Sequence, residues 1–518
     1  MNAMMYLKTI YLFFLIILSA YFRFVNLGEN PGVYNDEGTL LNISMNLLQG
    51  KSEYLGIEGS FLVAGRMPLF PWLLSLIFQF AEPSLFVLRA FTAVSGVLSV
   101  ILLYLFLQNI TDKGGSILAL LSPLVLAIHP KIVLFNRIGF GYNLLIPLTI
   151  IIFWFLWLLF KTKQTRWLIF ASITGVVGIL IEAAYLAFVV FLLLVIAIFN
   201  WKKLYIVILI TCIPLSFYFL ASFMVFGESF LFDWQFIFER GTAQSIFNQM
   251  AQILLNLINF PLDDITFLVG VFGIIGLQNR KLSILTFLGV FIPLIFISRT
   301  FLTIRHSYYY FLPYTPLLAI GIGNFILQIT SWALHFSQEV GNLFQAQKLS
   351  PLVQKMAKVL LFDMILFFAI IVPSFIVIYD LHNQVQDKLS TPFDHLFINL
   401  DELNAISHSV HQNLNKDDVV IASPAIAWAI SGNTTDYQIA IAVNDSPTIH
   451  FPRGIPVERM LFDTKISNAR YVIWDSILES WTDAQIPGVE NWRSIIFTTW
   501  KPVIRTENLI VFENPTRK

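Results

Sequence analysis

Charged residues are scarce in this sequence. Asp, Glu, Lys and Arg together make up 12% of the 518 residues, whereas a soluble domain carries about 25%. Hydrophobic residues account for 57%, and 50 residues are Phe. A chain of this composition needs an apolar solvent, so the sequence excludes an ordinary soluble enzyme and predicts a polytopic membrane protein.

Cysteine and net charge are equally limited. Cys212 is the only cysteine and lies inside an apolar run, which excludes an intrachain disulfide and a cysteine-based metal site. The 32 basic residues balance the 32 acidic residues, so we expect no nucleic-acid partner. The sequence also lacks an evident internal repeat and any low-complexity tract.

Long apolar runs predict the number of membrane spans. A spanning helix needs about 20 predominantly apolar residues. The run 68–80 is shorter and begins with two prolines, so we expect it to lie along the membrane surface beside membrane lipids. Eleven segments are long enough to span: 8–25, 84–108, 115–132, 143–160, 167–181, 183–199, 204–226, 263–277, 282–298, 308–331 and 358–380.

The basic residues orient these spans. Because such residues collect on the cytoplasmic side of a membrane, we expect a plasma-membrane protein with a cytoplasmic N-terminus. The segments predicted outside are the loop 26–83, a hairpin around 133–142, the loop 227–262 and the tail from 381. The basic turns that then face inward are Lys161/Lys163/Arg166, Lys202/Lys203, Arg280/Lys281 and Lys348/Lys355/Lys358.

The tail has the composition of a soluble protein. Short β-rich runs alternate there with candidate helices such as Pro424–Ile430. The sequence therefore predicts an all-α transmembrane domain over 1–380 and a small extracytoplasmic α/β domain over 381–518. The predicted strands are Asp418–Ser423, Tyr437–Val443, Arg470–Asp475, Ser494–Thr498 and Asn508–Phe512.

Two adjacent acids follow the first span. Asp36 and Glu37 come directly after Asn35, a candidate N-cap, in the first turn of a predicted amphipathic helix at the membrane interface. Helix capping alone explains an isolated acid pair at such a position. A carboxylate at membrane depth is costly and usually has a function, however. Asp36 and Glu37 are therefore also candidate catalytic residues.

Cationic side chains are predicted at the same outer face. Guanidinium groups suit phosphate because they donate bidentate hydrogen bonds, although a lipid-headgroup contact explains each cation taken alone. Arg89, inside the second span, needs an anionic partner or must reach the outer surface. Tyr308–Tyr310 alone would be an aromatic belt. The candidate substrate-binding residues are Arg66, Arg89, Arg137, Glu182, Arg305, His306 and Tyr309.

The residues around these candidates resemble a known superfamily, that of the family 39 protein mannosyltransferases and the aminoarabinose transferases. Both belong to the GT-C class of glycosyltransferases. The resemblance covers most of residues 1–330. It is carried by FVNLGENPGVYNDEG, LLQG, RMPLFPWLLSLIF, LRAFTAVSGVLSVILLYLF and, later, RHSYYYFLPYTPLLAIGIG.

The resemblance implies sugar transfer with inversion at the sugar carbon and a polyprenyl or dolichyl phosphate as leaving group. Asp36 would be the general base, and Glu37 would assist or orient it. Arg137, together with Arg89, Arg305 or His306, would offset the charge of the lipid phosphate. The implied partners are a polyprenyl-phosphate sugar donor and a protein, lipid or glycan acceptor, with no metal or other cofactor required. The chain lacks the acid that often follows Arg137 in mannosyltransferases, so protein O-mannosylation is not implied.

Three other functions remain open. An oligosaccharyltransferase-like enzyme should carry Asp-x-Asp and Trp-Trp-Asp motifs, which the sequence lacks. A transporter or flippase of lipid-linked saccharides should show internal repeats and charges in broken helices at the membrane midplane. A non-catalytic assembly factor would function without Asp36.

Overall fold

The computed structural model describes residues 2–59, 66–110, 116–242, 264–300, 304–346, 351–386, 397–443, 455–483 and 488–517, with short helical stretches between 248 and 255. Most of these residues are helical. The helices of the first part are α1 Asn2–Phe24, α2 Asn35–Leu48, α3 Leu69–Ile77, α4 Leu85–Ile110, α5 Ser116–Ile128, α6 Pro130–Asn136, α7 Tyr142–Thr162, α8 Thr165–Ile181, α9 Leu186–Asn200, α10 Leu204–Phe226, α11 Glu228–Thr242, α12 Ile265–Ile275, α13 Arg280–Thr300, α14 Thr315–Ala346, α15 Pro351–Leu366 and α16 Val372–Gln386.

Several of these helices are long and apolar enough to cross a membrane. Among the residues described there are five such segments, or six if the bent pair α5–α6 forms one span. One of the five, Ala183–Phe226, is 44 residues long and includes two predicted spans. The chain is therefore a multi-pass membrane protein, whereas the count of eleven spans stays a prediction.

The loop between α1 and α4, which is predicted to lie outside and is called the first outer loop, holds two short helices, as predicted. It contains α2, the hairpin of β2 (Glu53–Tyr54) and β3 (Ile57–Glu58), and α3. Helix α3 has nine residues and is about 14 Å long at 1.5 Å per residue, half of what a span requires. It packs against α2 and the end of α8.

The C-terminal part contains a five-stranded mixed sheet. Its strand order is β6-β5-β7-β9-β8, and β6, β5 and β7 run parallel, whereas β9 is antiparallel to both β7 and β8. The elements are β4 Phe397–Ile398, α17 Leu400–Gln412, β5 Val419–Ala422, α18 Pro424–Ala427, β6 Asn433–Asp436, α19 Tyr437–Val443, β7 Ala469–Trp474, α20 Ser476–Asp483, α21 Val489–Thr499, β8 Lys501–Arg505 and β9 Ile510–Glu513.

Two predicted strands of this part are wrong. Tyr437–Val443 is helix α19, which is buried over six of its seven residues. Periodicity cannot distinguish such a short buried helix from a strand. Ser494–Thr498 lies within helix α21, in which Trp492 and Ile496 are buried one turn apart. The β-branched residues of this segment favoured a strand. The segment is helical because a helix buries Val489, Trp492 and Ile496 on one face. Strands β6 and β8 were not predicted.

The sheet part contacts the first outer loop directly. Strand β1 (Val33–Tyr34) pairs antiparallel with β4, and helix α18 packs on α2. Gly38 makes the second contact feasible, because a Cβ at this position would lie 1.8 Å from the Pro424 carbonyl oxygen. The Asp-Glu-Gly sequence at the start of α2 therefore packs against α18, which lies almost 400 residues later in the sequence.

Candidate active site

Glu37 is fully buried and holds the outer loop to the transmembrane helices. Arg89 of α4 donates from Nε to Glu37 Oε1 and from Nη2 to Oε2, both at 2.8 Å. The backbone N–H groups of Gly139 and Tyr34 donate to the same carboxylate at 2.8 and 2.9 Å. Arg89 therefore has an anionic partner. The Glu37 carboxylate thus accepts four hydrogen bonds from protein donors, and its catalytic assignment stays a prediction.

The N-cap of α2 is Tyr34 and not Asn35, which corrects the sequence prediction. The Glu37 carboxylate accepts a hydrogen bond from the backbone N–H of Tyr34. The acid therefore provides the acceptor for a backbone N–H group that has no partner within the helix. Asn35 instead accepts a hydrogen bond from the backbone N–H of Ala425 at 3.3 Å. Its side chain thus joins α2 to the sheet part.

Asp36 contacts a different arginine from Glu37 and remains partly accessible. Its Oδ2 lies 2.7 Å from Nη2 of Arg66, and the two side chains are 26% and 12% exposed. Arg66 directly precedes the turn into α3. Its Nε is buried and has no hydrogen-bond partner among the described residues. The pair therefore combines a partly accessible carboxylate with a guanidinium that has an unused donor.

Glu182 completes a three-residue charged cluster with Asp36 and Arg66. It is buried in the turn after α8, and both other residues act on its charge. Burial raises the pKa of Glu182 to about 7; Arg66 opposes this increase, and Asp36 adds to it. Its carboxylate packs over Gly141 at the start of α7, where a Cβ would lie 2.6 Å from Glu182 Oε1.

Aromatic side chains surround this cluster. The Tyr309 ring lies 5.1 Å from that of Phe140, 5.4 Å from Tyr142 and 4.3 Å from Tyr310, measured between centroids. Tyr34 packs edge-on against Phe140 at 5.2 Å. Asp36 contributes to the electrostatic environment of both Tyr309 and Tyr34. These rings form an amphipathic wall, apolar in its faces and polar in its hydroxyl groups, beside the charged residues.

Arg137 is fully buried and donates its hydrogen bonds to backbone carbonyls. It donates from Nε and Nη2 to the Asn30 carbonyl at 3.2 and 2.7 Å, and from Nη1 to the Phe22 carbonyl at 2.9 Å. These contacts connect the hairpin after α6 to the end of α1. The structure thus brings Asp36, Arg66, Glu182 and Tyr309 together, and it places Glu37, Arg89 and Arg137 in the supporting framework.

The side chains of two candidate residues lie outside the part of the structure that is described. These residues are Arg305 and His306, which belong to the 3₁₀ helix Ile304–Tyr314. In the part of the chain that is described, no group of three or more His, Cys, Asp or Glu side chains is arranged to hold a metal ion.

Sequence reasoning missed a further buried arginine. Arg23, in the last turn of α1, donates to Asn136 Oδ1 at 2.9 Å and to the carbonyls of Ala127 and Leu126 at 2.9 and 3.0 Å. Asn136 in turn donates to Asn143 Oδ1 at 2.7 Å. An arginine in an apolar span that cannot reach water is the signal that could have revealed this network.

The middle of the sequence matches a family model. Residues 65–226 match the model of dolichyl-phosphate-mannose-protein mannosyltransferases. This confirms the resemblance for a segment that includes Arg66, Arg89, Arg137 and Glu182, and that begins after Asp36 and Glu37. No protein of curated function matches the chain by sequence.

Solved structures share the fold over nearly the whole chain. ArnT from Cupriavidus metallidurans, crystallised with undecaprenyl phosphate, superposes with a TM-score of 0.63 at 14% identity and covers 97% of this chain and 98% of its own. The oligosaccharyltransferase AglB from Archaeoglobus fulgidus, in complex with an inhibitory peptide and a dolichol-phosphate, gives 0.55 at 13% identity, covering 98% of this chain and 74% of its own. The chain therefore has the GT-C fold.

Proposed function

We propose that this GT-C-fold protein transfers a sugar from a polyprenyl-phosphate donor to an acceptor at the outer face of the plasma membrane. The observation that carries the proposal is the contact between Asp36 and Arg66, a carboxylate and a guanidinium held together at 2.7 Å beside the membrane helices. Both structural neighbours support it, because ArnT was solved with undecaprenyl phosphate and AglB with a dolichol-phosphate.

In this proposal Asp36 is the general base. It takes the proton of an acceptor hydroxyl or amine, whose oxygen or nitrogen forms the new bond to the anomeric carbon of the sugar. The bond from that carbon to the phosphate oxygen breaks, and its electron pair leaves with the polyprenyl phosphate. A positioned base typically accelerates such a step by about 10²–10⁴. Asp36 suits the role because it is the acid of the pair that stays accessible.

Arg66 binds the donor phosphate. A guanidinium has five N–H donors, of which Nη2 contacts Asp36 and the buried Nε has no partner in the described structure. The N–H groups on the accessible side of this guanidinium would donate to the phosphate oxygens and stabilise the negative charge that develops on the leaving group. Tyr309 and the neighbouring rings form the apolar side of the same site. The negative charge of Glu182, when this residue is ionised, partly offsets the positive charge of Arg66.

Glu37 takes a positioning role in place of the assisting role that the resemblance implied. Because Arg89 and Gly139 fix its carboxylate inside the protein, Glu37 sets the direction of the first turn of α2. Neighbouring helical residues lie about 100° apart around the axis at 3.6 residues per turn. Anchoring residue 37 inward therefore directs residue 36 towards Arg66.

The proposal is tested by the Asp36→Asn variant. Purified wild-type and variant protein are incubated with cell-envelope extract and with undecaprenyl-phosphate mannose or undecaprenyl-phosphate aminoarabinose, and the release of undecaprenyl phosphate is measured. We expect a loss of at least about 100-fold with unchanged thermal stability. Asp401→Asn, at an exposed first-turn position of α17, is the matched control. Release at the wild-type rate by Asp36→Asn would rule out the assigned base.

A further inference from the structure

A large cavity lies outside the cluster of Asp36, Arg66 and Glu182, none of which lines it. Its volume is about 720 Å³. Three distant parts of the chain line it: the first outer loop around Glu58 and Gly59, the junction of α10 and α11 over residues 225–235, and the segment 456–459. A volume of this size suits a small-molecule group or a few residues of a peptide.

One buried ion pair fixes the walls of the cavity. Arg459 donates from Nη1 to Asp233 Oδ1 at 2.7 Å and from Nη2 to Oδ2 at 3.2 Å, and its Nε donates to the Glu58 carbonyl at 3.1 Å. Asp233 lies on α11, so a single guanidinium joins all three lining segments. The Leu461 N–H also donates to the Gly56 carbonyl at 3.0 Å. The cavity is therefore preformed.

An apolar cluster connects the cavity to the candidate active site. Met67, which follows Arg66, belongs to the same buried cluster as Ile179 and Phe230. Ile179 lies one turn before Glu182, and Phe230 stands between Ser229 and Leu231, which both line the cavity. The same packed side chains therefore connect the wall of the cavity to the segments that carry Arg66 and Glu182.

The cavity has an excess of negative charge. Glu58, Glu228 and Glu458 line it and are exposed, and none of the three forms an ion pair within the part of the chain described. The one cationic residue in the described lining, Arg459, is already neutralised by Asp233. Clefts lined by charge of one sign concentrate ligands of the opposite sign. The lining therefore favours a cation and disfavours phosphate.

We propose that this cavity binds the acceptor through a cationic group, separately from the anionic donor at Arg66. The inference rests on the proposed transferase function only for the word acceptor. It assigns the two substrates to sites of opposite charge: the lipid phosphate to the arginine and an ammonium or guanidinium group to the carboxylates. Phe226 and Phe232, also in the lining, provide ring faces for the same cation.

Binding of tetralysine to the full-length protein in nanodiscs tests the proposal. We expect the triple variant Glu58→Gln, Glu228→Gln, Glu458→Gln to bind tetralysine at least about tenfold more weakly than the wild type in isothermal titration calorimetry. The matched control replaces three exposed acids that do not line the cavity, by Glu29→Gln, Glu490→Gln and Glu507→Gln, and should retain wild-type affinity. Equal affinity of the two triple variants overturns the proposal, as does tetraglutamate binding that matches tetralysine binding.

A second arm distinguishes the sources of the cation. If stearylamine in the nanodisc bilayer competes with tetralysine, the cavity accepts an amine carried by a lipid. If tetralysine binding is undiminished, the cationic group belongs to a soluble segment; both results support the site. Asp36→Asn should bind tetralysine like the wild type, so a failure of the base assignment and a failure of the cavity assignment give different results.

Discussion

The guanidinium of Arg89 contacts both carboxylate oxygens of Glu37, while the adjacent Asp36 contacts Arg66 instead. The first pair is fully buried and the second is partly exposed. Two acids that look equivalent in the sequence therefore bind two different arginines. This division separates a buried carboxylate from one that stays partly accessible, and it leads to contrasting expectations for the two positions.

Glu37→Gln should destabilise the protein. It leaves Arg89 buried without a counter-charge, and removing one partner of a buried ion pair costs about 3–5 kcal/mol. We expect a clear fall in the melting temperature, measured by intrinsic fluorescence in detergent. Asp36→Asn serves as the comparison and should melt like the wild type. A Glu37→Gln protein of undiminished stability and diminished turnover would assign Glu37 to the chemistry after all.

Arg66→Gln should weaken donor binding more than it slows turnover. It removes a charge-assisted contact to the phosphate, and such contacts contribute about 1.5–3 kcal/mol. The KM for the lipid donor should therefore rise by about 10- to 100-fold. Arg66→Lys should recover part of this loss, because it restores the charge without the bidentate geometry. An unchanged donor KM in Arg66→Gln would remove Arg66 from the phosphate site.

Glu182 should make the protein sensitive to pH near neutrality. Burial raises its pKa from 4.5 to about 7 in the folded protein. Between these values the folded state holds a proton that the unfolded state has lost, so stability decreases as the pH rises through this window. Glu182→Gln should abolish this slope and be the more stable protein at about pH 8. Melting curves of both proteins from about pH 4 to about pH 8 provide the measurement, and parallel profiles would contradict the assignment.

Glu182 should also affect catalysis in the same pH range. Once ionised, it places a negative charge beside Arg66 and thus opposes the donor phosphate. We expect the donor KM of the wild type to rise above about pH 7, the pKa of this carboxyl, and that of Glu182→Gln to stay flat. The dependence of KM on pH for the two proteins checks this. A KM that rises equally in both would trace the effect to another group.

Gly38→Ala should separate the sheet part from α2. The added methyl group would overlap the Pro424 carbonyl, which belongs to the backbone and cannot move aside. We expect faster cleavage within the C-terminal part in limited proteolysis, together with reduced activity. Gly28→Ala, in the same outer loop, is the matched control, because a methyl group there would meet no atom of the described residues within 4 Å. Identical digestion patterns for the two variants would show that the contact does not hold the parts together.

The C-terminal part should be accessible from outside the cell. In sealed right-side-out vesicles, added protease should cleave the residues after 386 while the N-terminus stays protected. Permeabilised vesicles provide the reference for full cleavage. Protection of the C-terminal part in intact vesicles would invert the topology and remove the outer-face reaction from the proposal.

Much of the framework could be predicted because it depends on local properties. Apolar runs indicated membrane helices, and the prolines at the start of α3 indicated a short helix. The position of Asp36 and Glu37 in the first turn of α2 was predicted, although the N-cap is Tyr34 and not Asn35. The different partners of the two acids were not predictable, because Arg66 and Arg89 reach them from other segments of the chain.

The missed features share a dependence on distant segments. Arg23 looked like a flanking residue of the first span, yet three of its four acceptors lie in α5 and α6. The hydrogen bonds of Arg137 to the Asn30 and Phe22 carbonyls leave no trace in the local sequence, and its assignment as a phosphate ligand stays a prediction. Likewise, the composition of Tyr437–Val443 resembled that of a strand, whereas the segment is a helix buried on nearly every side.

The pairing of Val33 with Ile398 has a consequence for biosynthesis. The two residues lie more than 360 positions apart in the sequence, and ribosomes add about 5–20 residues per second. The first outer loop therefore emerges roughly 20–70 s before the strand that completes it. During this interval the helix that carries Asp36 lacks its pairing partner, so the surroundings of Asp36 are completed only after the chain has been synthesised beyond the last apolar helix.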